Sequence, residues 1–218
     1  MAFRLPNGSS FYFEATSSEP VTITAISNAA EAVVSAALHD VVAGDVVVIT
    51  SGWTRITGRA FKVKSVVADV SFVLEKLDTT DVTRFPAGAS AGSFYKVETW
   101  VNIPQIMEVA SSGGDQQFYT FAFLEEDEQR QLPTSKNPST LTLTIADDPT
   151  QAYVPIVEKA DELKATRVQR LNLVNGDEIY YNSVASITNT PTLTRDQLMQ
   201  RVITLAQQGR VTRYQKSV

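Results

Sequence analysis

The chain contains no cysteine, only one histidine and no long apolar run. Without cysteine, disulfides, thiolate nucleophiles and Cys-ligated metals are excluded. With His39 alone, a multi-histidine metal site is disfavoured, and the acidic runs "EEDE" and "DDP" lack the spacing of an EF-hand loop. No stretch approaches the ~20 apolar residues of a membrane span. "MAFRLPNGSS" has no apolar core of the signal-peptide kind, so the expectation is a soluble chain made in the cytoplasm with no membrane partner. Excess positive charge is also missing: 19 Lys and Arg stand against 24 Asp and Glu, a formal net charge of −5. A protein that grips a nucleic-acid backbone carries a basic face. This balance suits a surface past which a polyanion slides. No "GxSxG" accompanies His39, and Asp40 beside it in "LHD" is a sequence neighbour only. A hydrolase is therefore the weakest reading, no cofactor is expected, and His39 reads as a turn residue.

What is present is β texture. Hydrophobic residues make up 43 % of 218 positions, enough for one large or two small cores. "SFYFEAT" near the start alternates as a strand does. From Glu19 to Thr99 short strands and tight turns follow one another: "PVTITAI", "DVVVIT", "AFKVKSVVA" and "SFVLEKLD". "EAVVSAAL" fits a strand or a helical turn. Strands at this spacing predict a small β-barrel. In "SGWTRITGR", Gly52 and Gly58 suit tight barrel turns. Trp53 either covers the barrel end or, with Arg55 and Arg59, forms an outer contact surface.

A second texture begins at "WVNIPQIMEV". "QFYTFAFL" (117–124) and "TLTLTIA" (140–146) are strong strands, and the polar "EEDEQRQLPTSKNPS" between them predicts one hairpin with a long tip. In "DDPTQAYVPIVEKADELKA", Asp148 and Pro149 suit a helix start, with Ala152, Ile156, Val157 and Ala160 as its apolar stripe. Pro155 makes that helix kink or begin there. Asn175-Gly176-Asp177 marks a hairpin. Leu198 to Gln207 fits both a helix and a strand by pattern.

Two resemblances rest on these residues. Val21 to Val97, through "TAISNAAEAVVSAALHDVVAGDVVVITSGWTRITGRAFKV" and "FVLEKLDTTDVTRFPAGASAG", is similar to the all-β half-domain of ubiquitin-activating enzymes. Met1 to about Thr16 with Trp100 to Tyr214 resembles the major tail tube protein of long-tailed, non-contractile phages. "WVNIPQI", "GGDQQFYTFAFLEEDEQRQLPTSKNPSTLTLTIADDPTQ", "NGDEIYYNSVAS" and "GRVTRY" carry that likeness. The resemblance implies a mainly β fold: a discontinuous tail-tube β-sandwich with one flanking helix (1–18 and 99–218) and an inserted small β-barrel (19–98). It implies stacked hexameric rings around a DNA channel, contacts with a tape-measure protein and with tail terminator or tip proteins, a place in the virion, and a strand rather than a helix over Leu198 to Gln207. Because insertions succeed at exposed loop tips, the barrel is expected to hang outside the wall.

On this reading Thr140, Thr142 and Thr144 face the lumen together with Thr120 and Ala122 of a paired strand, while Tyr119, Phe121 and Phe123 point inward. An ordinary antiparallel sandwich with a solvated threonine face gives the same alternation. Glu125, Glu126, Asp127 and Glu128, with Arg130 and Lys136, form a predicted inter-ring loop. Arg167, Arg170, Arg201, Arg210 and Arg213 are its candidate complements; a solvated loop is the plainer alternative. The rival function is a carbohydrate- or receptor-binding tail component that uses the barrel.

Overall fold

The computed structural model describes residues 7–216; the first six residues of the predicted discontinuous domain, and the last two, lie outside them. The described chain is mainly β, with sixteen strands and one helix. It opens with β1 (Ser10–Ser17), β2 (Val21–Ile23), β3 (Ala25–Ile26), β4 (Val33–Ser35), β5 (Val46–Ser51), β6 (Arg59–Val67), β7 (Ser71–Leu74) and β8 (Gly92–Ile103). The ambiguous "EAVVSAAL" is thus the strand β4, because its valines pair with Phe72 and Val73 of β7. β2 pairs with β8 and β3 pairs with β4. The run Val21 to Ile26 therefore joins the two edges of β4-β7-β6-β5-β8 and closes a small barrel. Its core holds Ile23, Val34, Val47, Ile49, Trp53, Phe61, Phe72 and Phe94.

The rest consists of β9 (Ile106–Gly113), β10 (Gln116–Phe121), β11 (Arg130–Lys136), β12 (Ser139–Ala146), α1 (Val154–Glu162), β13 (Thr166–Asn172), β14 (Glu178–Ile187), β15 (Gln200–Gln207) and β16 (Thr212–Tyr214). The strand order β8-β1-β13-β14-β15-β12-β9 wraps around a second core. There Phe11, Phe13, Leu141, Leu143, Ile145, Ile203 and Leu205 meet Val154, Val157 and Ala160 of α1. Pro155 sits in the first turn of α1, where its missing N–H costs nothing. Asp148 does not cap the helix, because it is already engaged in a local turn, accepting from Thr150 N at 3.1 Å and Thr150 Oγ1 at 2.7 Å. Asn175 to Asp177 turns β13 into β14 with Gly176 at φ +85°, as the Asn-Gly-Asp signal predicts. Gln200 to Gln207 is a strand, paired on both sides.

The largest departure from expectation lies between Gln116 and Ala146. β10 does not pair with β12. It pairs with β11, which forms inside the segment predicted to be a loop: Phe118↔Pro133, Tyr119↔Leu132, Phe121↔Arg130. Pro133 is tolerated because β10-β11 is an isolated pair in which both strands are edges. β12 is flanked instead by β9 and β15.

Nor does the barrel hang from a loop. β8 is one unbroken strand whose first half pairs with β5 and whose second half pairs with β1. A third apolar cluster joins barrel residues Val46, Val48 and Ala60 to Val168, Tyr180 and Tyr214. Across this junction Asn182 Nδ2 donates to Gly58 O at 2.7 Å and Lys62 Nζ pairs with Glu178 at 2.7 Å. The backbones come so close that a Cβ on Gly209 would lie 2.7 Å from Gly58 O.

Candidate functional site

Alternation along β12 places Leu141, Leu143 and Ile145 in the core at 4 % exposure or less. Thr140, Thr142 and Thr144 are then presented half-buried on the opposite face. Register extends that face over four strands. Beside the threonines lie Ser112, Ala110 and Glu108 of β9, Ala206, Thr204 and Val202 of β15, then Val184 and Ser186 of β14. Threonine and valine keep β propensity, and among these residues only Glu108 is charged. The face is dry beneath and nearly neutral above.

It ends at β9, which among the described residues has a strand neighbour on one side only. Next to that free edge Met107 and Val109 are 54 % and 42 % exposed. With Phe11, Leu171 and Leu173 they line an apolar notch of about 340 Å³. An unpaired edge beside bare apolar surface is what a further strand covers.

β10 and β11 form an arm that packs on itself and extensively on no other element. Tyr119, Phe121 and Phe123 share one of its faces with Leu132, and Arg130 lies over Phe123, 5.9 Å from the ring centroid. Tyr119, Phe123 and Leu124 are exposed, so the inward placement predicted for the aromatics is overturned: the arm has no core to face. For the same reason Thr120 and Ala122 stand on the arm and are not neighbours of Thr140, Thr142 and Thr144. Glu125, Glu126, Asp127 and Glu128 form the tip, with Arg130 paired to Glu126. Lys136 sits at the root, opposite Gln116.

Of the candidate complements, Arg167 pairs with buried Glu14 at 3.0 Å, Arg201 with Glu158 at 3.1 Å, and Arg213 with Asp177 at 2.6 Å. Arg170 lies over the rings of Tyr12 and Trp100. All four are used within the subunit; Arg210 remains exposed. Burial raises the pKa of Glu14, although Val168 N–H and Arg167 pull it down. Burial pushes Glu178 up as well, but the Lys62 ammonium, the Tyr180 hydroxyl and Arg170 together outweigh it, and the group ends below its ordinary value. Burial pushes the Tyr214 phenol up to about 12, so it stays neutral and its oxygen accepts Lys62 N–H at 2.9 Å.

In the barrel, Trp53 is withdrawn as a surface contact. It is 2 % exposed, donates Nε1–H to Pro86 O at 2.8 Å and meets Phe85 edge-on, closing the barrel end. Arg59 turns toward β16, donating to Thr212 at 3.4 Å and lying over Phe61. Arg55 is exposed. His39 is buried edge-on against Phe72, with no hydrogen-bond partner among the described residues on either ring nitrogen, and Asp40 pairs with Lys96 at 2.9 Å instead.

A family model described as "Phage tail tube protein, TTP" matches residues 51–216. The chain belongs to the phage tail tube protein family. Membership gives this tail tube protein a structural role in the phage tail. The matched stretch begins at the last residue of β5, so it takes in β6, β7 and β8 as well as the segments that carry the tail-tube resemblance. No curated protein matches the chain. Among solved structures it is similar to the sheath/tube terminator of an extracellular contractile injection system, PVC, in its extended state, at 18 % identity over 52 % of this chain and 86 % of that one (TM-score 0.39). It is similar to the sheath–tube complex of that system at 19 % identity over 53 % and 83 % (TM-score 0.39). The tube-terminating cap of the anti-feeding prophage is similar at 20 % identity over 53 % and 83 % (TM-score 0.37).

The threonine strand was legible from alternation. The flanking Glu108, Ala110, Ser112, Val202 and Thr204 were missed as part of its face. β15 carried the signal in its own alternation, but which strands adjoin β12 is not a local property.

Proposed function

We propose that this tail tube protein is the wall subunit of a long-tailed, non-contractile phage tail. Copies close into six-membered rings that stack head to tail around a channel for DNA. The observation that carries the reading is the β14-β15-β12-β9 face: apolar and dry on one side, half-exposed and nearly uncharged on the other, and ending in an edge unpaired among the described residues. Turned to a lumen, such a face offers phosphate no cation to hold it, so DNA passes without specific binding. The free edge of β9 is completed by the neighbouring subunit, and ring closure removes the edges.

Thr140, Thr142 and Thr144 line the channel. Residues 19–98 form an inserted barrel on the outer side of the wall. By family likeness, a tape-measure protein contacts the lumen and terminator and tip proteins end the stack. The protein acts by shape and edge pairing rather than by turnover.

Negative-stain electron microscopy of the purified chain at rising concentration tests this. Six-fold ring averages and tubes of stacked rings are expected. A chain that stays monomeric at every concentration and salt, also when seeded with isolated tail tips, overturns the reading.

A further inference from the structure

A cleft of about 890 Å³ lies where the 53–59 turn of the barrel, the root of the arm and the β15-β16 turn meet. Arg55, Arg59, Lys136 and Arg210 line it, and no Asp or Glu does. Among the described residues none of these four is in an ion pair, whereas Arg167, Arg201 and Arg213 all are. The buried Nε of Arg59 has no hydrogen-bond partner. Four cations gathered without a counter-charge attract an anionic partner.

The other end of the arm carries the complement. Glu125, Asp127 and Glu128 are exposed at the tip, beside bare Phe123 and Leu124. The arm cannot bring its tip to its own root: Gln116 to Phe121 alone spans roughly 17 Å at about 3.4 Å per residue. Each copy therefore has an acidic apolar plug at one end of the arm and a basic socket at the other. That is a heterologous, self-propagating pair of surfaces.

We propose that the arm tip of one copy seats in the basic cleft of the next copy, with Arg55 and Arg59 of the barrel joining Lys136 and Arg210 in holding Glu125, Asp127 and Glu128. The barrel is then part of the joint between copies. This rests on the self-assembly reading above and specifies its receptor.

The test uses exposed residues only. R55E/R210E and E125K/E128K are each expected to keep the wild-type circular dichroism spectrum. Each should raise the protein concentration needed for tubes by about tenfold or more. The four changes combined should bring it back toward wild type. If wild type forms tubes and both double variants do so at the same concentration, the socket is refuted while the assembly reading stands. If wild type forms none, the assembly reading fails, and cross-linking decides the docking: in this cysteine-free chain, E125C with R210C should oxidise to a ladder of linked copies, and E125C with V67C should not. Monomer alone from the first pair refutes the proposal. So does a short DNA duplex retained by wild type and released by R55E/R210E while tubes form unchanged, since that assigns the cleft to nucleic acid.

Discussion

Asp177 ends the Asn175-Gly176-Asp177 turn and also anchors the chain's last strand. Its carboxylate accepts from Arg213 at 2.6 Å and from Lys216 N at 3.2 Å. The Arg213 hydrogen bond comes first among the causes that hold its pKa below the ordinary value, followed by that from Asn175. A carboxyl lowered in the folded state contributes stability that is fully present above its unfolded pKa and is lost as pH falls through the folded one. Asp177→Asn is therefore expected to lower the urea midpoint at neutral pH. Its deficit against wild type should close as pH drops below about 4. Parallel urea titrations across that range check it; a deficit that stays constant with pH assigns the loss to packing. Arginine is sorted at this same scale. Four of the five arginines offered by sequence as inter-ring partners are consumed within the subunit, and the exposed Arg210 joins barrel residues that composition could not associate with it.

At the scale of elements, the arm is the part that does least for the fold. β10 and β11 bond to each other, expose most of their side chains and pack extensively on no other described element. Segments with few buried contacts contribute little to global stability. Replacing residues 117–135 by a short Gly-Ser linker is expected to change the unfolding free energy by less than about 1 kcal/mol, measured by urea denaturation, while abolishing tubes in the microscope. A large loss of stability would make the arm part of the fold rather than of the assembly. β12 is the opposite case. Both its edges are paired and one face is sealed, so its alternation serves the core on one side and the exposed face on the other.

For the whole molecule, β8 decides how the two cores behave. It belongs to both, and the cluster of Val46, Val48, Ala60, Val168, Tyr180 and Tyr214 seals the junction. Two cores that share a strand and an apolar interface are expected to unfold together, as one cooperative unit does. Trp53 reports the barrel core and Trp100 the junction, so single-tryptophan variants made with Trp53→Phe or Trp100→Phe are expected to show coincident urea transitions. Tyr214→Phe, which leaves Lys62 N–H without its acceptor, should cost about 1–2 kcal/mol and move both transitions together. Separate transitions would mean that the barrel is an independent body.

The sequence by itself determined the mainly β character, the one-sided strands at "SFYFEAT" and "TLTLTIA", the Asn-Gly-Asp hairpin and the near-neutral chemistry of the threonine face. All of these follow from side-chain type and a period of two, which are local. Tertiary structure alone decided what lies beside each strand. Alternating aromatics in "QFYTFAFL" read as a core strand, yet their partner is a polar strand from the presumed loop, and the pair stands in solvent. Trp53 read first as a cap on the barrel end and second as a contact, and Pro86 and Phe85 enclose it as the cap. Alternation tells which side of a strand is apolar. Only the closing of the chain, by long-range pairing and burial, tells whether that side finds a core, another copy or water.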